Sequence, residues 1–219
     1  MEQIWRKHMT VDLSLFIEEF NTYDDIKSGL FIRINGINLK PERLEQVPYT
    51  KVQDLYMTYH VFLGYESGNF ISACITNEML AAYGITKRQL HSDALANSKN
   101  IFPANIISLE KLLPIPKEMM MTNVSNIFVV TNTQTVNGAS VLFYNDMMET
   151  IANIVGGSFY AIPSSIHEFL VFAKNNTMTP EELEAIIQEV NSTCVDPDEQ
   201  LSDHLYEYDH DTGEFRISL

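Results

Sequence analysis

GASVLFYNDMMETIANIVGGSFYAIPSSIHEFLVF, residues 138–172, is the stretch on which the reading of the fold turns. Ala139 to Phe143 is a short apolar run behind an Asn137-Gly138 turn, and this predicts a strand returning beside Ile127 to Thr131. Met147, Met148, Ile151, Ile154 and Val155 then recur at helical spacing, with Asn145 placed to cap the helix and Gly156-Gly157 to stop it. Phe159 to Ile162 and Ile166 to Phe172 read as two further strands, joined through Pro163-Ser164-Ser165.

Upstream, the spacing of Val11, Leu13, Phe16, Ile17 and Phe20 predicts an N-terminal helix. Leu30 to Ile34 reads as a strand, closed by an Asn35-Gly36 turn with Ile37 to Leu39 as its returning partner. Val52, Leu55, Tyr56, Tyr59 and Phe62 fit a helix over residues 52–63. A strand over 69–75 leads into a helix capped by Thr76, and Thr86 opens the next, which ends near Asn97. The proline-rich section 102–116 predicts loop with one short helical piece near 108–112, and Met119 to Met121 read as core fillers. Downstream, Thr179-Pro180-Glu181-Glu182 is a clean helix start, and Leu183, Ile186, Ile187 and Val190 give that helix one apolar stripe. Leu205 to Tyr208 and Glu214 to Ser218 read as a closing hairpin. Helices and hairpins interleave without strict alternation, which predicts an α+β fold with a mixed, mainly antiparallel sheet and helices packed on it. The 219 residues suit a single domain, with a lobe at 1–102 and another at 117–219 if the proline-rich section divides it.

The formal net charge is −15. Twelve of the 29 acids fall between Asn175 and Phe215, where no Lys or Arg occurs, so the remainder of the chain carries a net charge of only −3. A surface of that sign repels phosphates, which disfavours direct nucleic-acid binding. It would instead steer the chain toward a basic protein surface. Glu181, Glu182, Glu184, Asp196, Asp198, Glu199, Asp203, Glu207, Asp209 and Asp211 are the acids expected to meet such a partner. Two cysteines without CxxC spacing, no apolar run of membrane-spanning length and no leader-like start predict a cytoplasmic protein.

Ser164-Ser165-Ile166-His167-Glu168 is the one polar cluster with catalytic residue types. On a strand Ser165 and His167 share a face while Ser164 and Glu168 take the other, so only the Ser165/His167 pair is open to nucleophile-and-base chemistry. No G-x-S-x-G elbow accompanies it. Asp203, His204, Glu207, Asp209 and His210 are metal-ligand types, but alternation splits them between faces and no metal site is expected. Glycine-rich phosphate loops are absent and no cofactor is expected.

Several phrases carry a resemblance: Thr76-Asn-Glu-Met-Leu80 with Tyr83-Gly-Ile-Thr86, Asn137-Gly-Ala139, Ile162-Pro-Ser-Ser-Ile-His-Glu168, Glu189-Val-Asn-Ser-Thr193, and Leu201-Ser-Asp-His204 followed by Tyr206. Over residues 52–218 the chain resembles an uncharacterised domain-of-unknown-function family of anaerobic gut bacteria and their mobile elements, with the first fifty residues as a shortened N-terminal part. The resemblance implies one bacterial or phage-derived fold and brings no activity with it. Three functional expectations stand: an acidic binding module, for example an inhibitor occupying the nucleic-acid channel of a host defence nuclease such as a CRISPR effector; a small hydrolase or ligand-binding enzyme using Ser165 and His167; and a structural homo-oligomer.

Overall fold

The computed structural model describes residues 20, 22–36, 38–66, 69–112, 126–174 and 178–218. The expected N-terminal helix and the Met119 to Met121 cluster lie outside these residues. In chain order the elements are α1 Tyr23–Lys27, β1 Leu30–Asn35, α2 Pro41–Leu44, β2 Tyr49–Val52, β3 Leu55–Glu66, β4 Asn69–Cys74, α3 Asn77–Ala82, α4 Lys87–Ile101 and β5 Ala104–Ser108. They continue with β6 Phe128–Asn132, a 3₁₀ segment Gly138–Phe143, α5 Met147–Val155, β7 Phe159–Ser165, β8 Glu168–Ala173, α6 Pro180–Thr193, β9 Tyr206–Asp209 and β10 Glu214–Ile217.

The fold is α+β, as expected, but its strands form two sheets, and every described pairing is antiparallel. In sheet 1 the long β3 carries β1 along one edge, and β2 and β4 in succession along the other. Sheet 2 runs β10-β9-β7-β8-β6-β5.

Residues 52–63 are therefore strand, where helical spacing pointed to a helix. Val52 and Leu55 pair across a two-residue turn, with Gln53 in the left-handed region at φ 56°. Leu55, Met57, Tyr59 and Val61 are buried on one face of β3, and Thr58 and His60 are buried on the other. A strand covered on both faces loses the polar–apolar alternation that would betray it. Residues 104–108 form the edge strand β5 instead of loop. Among the described residues no strand returns after Asn35, Ile37 lying outside them; β1 pairs with β3, and the chain passes into α2.

The stretch after Asn137 is likewise not a strand. Both edges of β6 are taken, by β5 and β8, so no place remains for a returning partner. Residues 138–142 are buried in the 3₁₀ segment and tie the two sheets together. Ser140 Oγ accepts from Ile34 N–H of β1 at 3.2 Å, and Ala139 N–H donates to Ile166 O beside sheet 2 at 3.2 Å. Ser98 Oγ of α4 accepts from Ile32 N–H at 3.0 Å. Two buried hydroxyls thus satisfy the outward backbone donors of β1, which would otherwise be a bare sheet edge.

One apolar cluster takes Leu30, Ile32 and Tyr59 from sheet 1 and Phe159, Phe169, Val171 and Tyr206 from sheet 2. The opposite face of sheet 2 presents Tyr160, Phe172 and Leu205 to Leu183 and Ile187 of α6. The period-two alternation of Ala161 and Val171 with Tyr160 and Phe172 is what lets one sheet serve both cores. The predicted cap at Thr179 is present: its Oγ1 accepts from Glu182 N–H at 3.3 Å, and Glu182 Oε2 accepts from Thr179 N–H at 2.8 Å. The hydroxyls of Thr76 and Thr86 cap α3 and α4 by accepting from Met79 N–H at 3.1 Å and Gln89 N–H at 3.2 Å, without the return bond from the Gln89 side chain that a full capping box would add, and α4 runs on to Ile101. The cap of α5 is Asp146, one residue beyond the Asn145 expected.

Candidate functional site

The turn between β7 and β8 is Ile166-His167, two residues later than the sequence placed it. Pro163 lies inside β7, at a register irregularity beside β8 and beyond the part of β7 that pairs with β9, so its missing N–H costs no ladder bond on that side. His167 therefore sits on a turn, and the expected strand parity of Ser165 and His167 does not apply. The Ser165 hydroxyl accepts from the His167 backbone N–H at 3.1 Å. The imidazole Nδ1 accepts from Asn137 N–H at 3.2 Å, which assigns the ring proton of the neutral form to Nε2. Nε2 lies 3.4 Å from Glu199 Oε1. His167 O accepts from Thr131 Oγ1 at 2.8 Å, and Ser164 Oγ faces Glu168 Oε1 at 3.4 Å. The cluster locks this corner against the 3₁₀ segment; the serine and the imidazole meet through the backbone, not as nucleophile and base.

The acidic segment divides into acids bound into the fold and acids left on its surface. Glu182 closes the α6 cap. Glu184 Oε1 accepts from Leu205 N–H at 3.1 Å and faces His204 Nδ1 at 3.4 Å. Asp196 Oδ1 accepts from Asp198 N–H at 3.1 Å, and Asp203 Oδ1 accepts from Asn191 Nδ2 at 2.8 Å. Asp209 Oδ1 accepts from Asp211 and Thr212 N–H, each at 3.0 Å, which keeps its carboxyl below the usual range. His210 Nε2 turns to Glu149 Oε1 at 3.2 Å, away from the acids that metal-ligand spacing grouped with it.

Glu207 leaves the contact surface altogether. It is only 6% exposed, on the face of β9 opposite Tyr206 and Tyr208. Its carboxylate accepts from Lys174 Nζ at 2.6 Å, Arg216 Nε at 2.7 Å and Ser218 Oγ at 3.3 Å. Burial pushes this carboxyl up, but the ammonium and guanidinium outweigh it and hold it below its ordinary value of about 4.5. A carboxyl depressed on folding adds stability above its unfolded pKa and loses it as pH falls through the folded one. We therefore expect Glu207→Gln to cost about 1 kcal/mol at neutral pH. Urea melts of both proteins should converge as the pH falls below the ordinary carboxyl range and through the depressed pKa of folded Glu207; a gap that persists once Glu207 is protonated would mean the loss is packing rather than charge.

On α6 the expected apolar stripe is wider than the buried face. Leu183, Ile187 and Asn191, spaced four apart, face inward. Ile186 is 42% exposed and Val190 40% exposed, one turn apart on the outer side, among exposed Glu181, Glu182, Ala185 and Glu189. The Glu181 backbone N–H at the helix start and the Thr179 hydroxyl depress the Glu181 carboxyl, so the negative charge there persists into mild acid. Sequence reading missed this exposed pair. Its signal was the 100° offset between the 183–187–191 and 186–190 series.

No helix among the described residues is long and apolar enough to cross a membrane. No curated protein and no solved structure matches the chain. A family model does, and its match starts at residue 1, taking in the first fifty residues that the sequence resemblance had left outside. Matched over residues 1–210, the chain belongs to DUF5688, a family of unknown function.

Proposed function

We propose that the chain acts by binding another protein, and that the outer side of α6 with the acidic segment behind it is the contact face. The observation that carries this is the exposed Ile186–Val190 pair set among glutamates. Two aliphatic side chains one helical turn apart are anchors for a shallow apolar pocket, and the surrounding carboxylates call for a pocket rimmed by Lys and Arg. Glu181, Asp198 and Asp211 are exposed and extend the negative surface. A basic channel built for nucleic acid has this character, and an inhibitor seated in the channel of a host defence nuclease would present carboxylates where phosphates otherwise lie.

A photo-crosslinking residue at Ala185, used in cells that naturally carry the protein, tests this. The expected product joins the chain to a basic protein. The purified pair should weaken about a hundredfold when Ile186 and Val190 are both replaced by Asp. It should weaken further as salt rises from about 50 to 300 mM. Crosslinks only to a second copy of the chain would overturn the proposal in favour of a homo-oligomer, and a partner indifferent to the double replacement would also overturn it.

A further inference from the structure

The flank of α6 that carries Ile186 and Val190 has a definite direction over sheet 2. At about 100° per residue, Ile186 stands roughly 160° and Val190 roughly 120° round the helix from Glu184. Glu184 Oε1 accepts from Leu205 N–H at the entry to β9, so its flank looks toward β9 and β10. The aliphatic pair therefore looks the other way, over β8, β6 and β5. Next to the pair on the solvent side stand Glu182 and Glu189, both exposed. No Lys or Arg occurs between Asn175 and Phe215 to offset them.

Sheet 2 lays an aliphatic floor in that direction. Ala161, Val171, Val130 and Ile106 face the core shared with sheet 1, so the alternate positions Ile162, Leu170, Val129 and Ile107 face the α6 side. These four form one row across β7, β8, β6 and β5, each the register partner of the next. Val129 is buried, while Ile162, Leu170 and Ile107 are half-buried. α6 itself rests on Tyr160, Phe172 and Leu205, so it is centred over β7. Strands about 4.8 Å apart put β5 about 14 Å from β7. Packed helices lie about 8–10 Å apart, which sets the axis of a neighbour to α6 above β6, in the middle of the row.

Resting on the reading of α6 as the contact face, we infer that the partner's contacting element is a basic amphipathic α-helix lying beside α6 on this floor. Its apolar stripe meets Ile186, Val190, Leu170 and Ile107, and Lys or Arg along one flank meets Glu182 and Glu189. Side chains four apart make a ridge, and the complement of a ridge is the groove between side-chain rows of another helix. A helix also satisfies its own backbone groups, so it can lie on an apolar floor that offers none. An added strand would need the N–H and C=O groups of a sheet edge, which the Ile186–Val190 flank does not present. The acids select a basic helix over a neutral one.

Two synthetic peptides and the full methyl-labelled chain test this. One peptide of about 18 residues of Leu, Ala and Lys has leucines at helical spacing and lysines along one flank; the other holds the same residues with the leucines alternating. The helical peptide should bind with a dissociation constant on the order of 100 μM, about tenfold tighter than its rearranged form. Methyl signals of Ile107 and Leu170 should shift together with those of Ile186 and Val190. Ile186→Asp with Val190→Asp, surface changes whose fold circular dichroism checks, should reduce binding to that of the rearranged peptide. Glu189→Lys should weaken it about threefold. Tighter binding of the alternating peptide, still dependent on Ile186 and Val190, would overturn the helix and leave α6 as the contact face. Equal binding of both, indifferent to the double replacement, would mean charge alone holds the peptide and would overturn the helix too. Shifts confined to Ile186 and Val190 would overturn its place on the sheet 2 floor. Binding of neither peptide would overturn the helix, with the Ala185 crosslink still deciding the face.

Discussion

Replacing Gly36 with alanine should cost about 3 kcal/mol or more of folding stability, far above the toll of an ordinary glycine replacement. Gly36 is buried at the end of β1. A Cβ there would collide with the backbone carbonyl oxygens of Gln200 and Leu201 and with Leu201 Cα. None of these is the tip of a flexible side chain, so relief requires moving the segment that leads into β9, and with it the buried Leu201 and Ser202. Gly84 supplies the comparison. It sits at φ 64°, and a Cβ added there would meet nothing within 4 Å, so Gly84→Ala should cost only the left-handed strain, about 1 kcal/mol. Urea melts followed by far-UV circular dichroism would separate the two. Similar costs for both would show that the 200–201 segment yields, and that sheet 1 and the chain entering β9 are less tightly coupled than their contact implies.

Gly36 also shows where sequence reading stops. Beside Asn35 it has the look of a hairpin turn, yet its role is to let a segment some 160 positions away approach the backbone, and no local pattern encodes that. Elements whose signals are local were legible: the threonine caps at Thr76, Thr86 and Thr179, the strands at Leu30 and Asn69, and the closing hairpin of β9 and β10. The errors fall where remote partners decide. Residues 55–66 are a strand because β1, β2 and β4 all pair with them, and residues 138–143 are not a strand because β5 and β8 already occupy β6. The candidate sites follow the same division. The acid-rich character of 175–215 was visible in composition, whereas the burial of Glu207 and the exposure of Ile186 and Val190 depended on which face of β9 and of α6 meets the other.

Asp54→Ala is expected to be the most damaging change to a polar side chain, at about 2–4 kcal/mol. Asp54 occupies the two-residue turn between β2 and β3, an address that suggests a dispensable surface acid. Its two carboxylate oxygens instead reach across to sheet 2: Oδ2 accepts from Ser202 Oγ at 2.6 Å, and Oδ1 accepts from the Tyr206 hydroxyl. Ser202 and Tyr206 are fully buried. Burial, reinforced by donation to Asp54, pushes the Tyr206 phenol well above its ordinary range. Removing the carboxylate leaves two buried donors without that acceptor, and such groups incur their full desolvation cost. Removing the donors instead should be milder: Tyr206→Phe and Ser202→Ala should each cost about 1 kcal/mol, since the half-exposed Asp54 can turn to water. The decisive measurement is therefore a mutant cycle. Asp54→Ala made in the Tyr206→Phe/Ser202→Ala background should cost under about 1 kcal/mol, because the groups it would orphan are gone. If the full loss persists in that background, Asp54 matters through its turn conformation, and the tie between the hairpin of sheet 1 and β9 of sheet 2 adds nothing to stability.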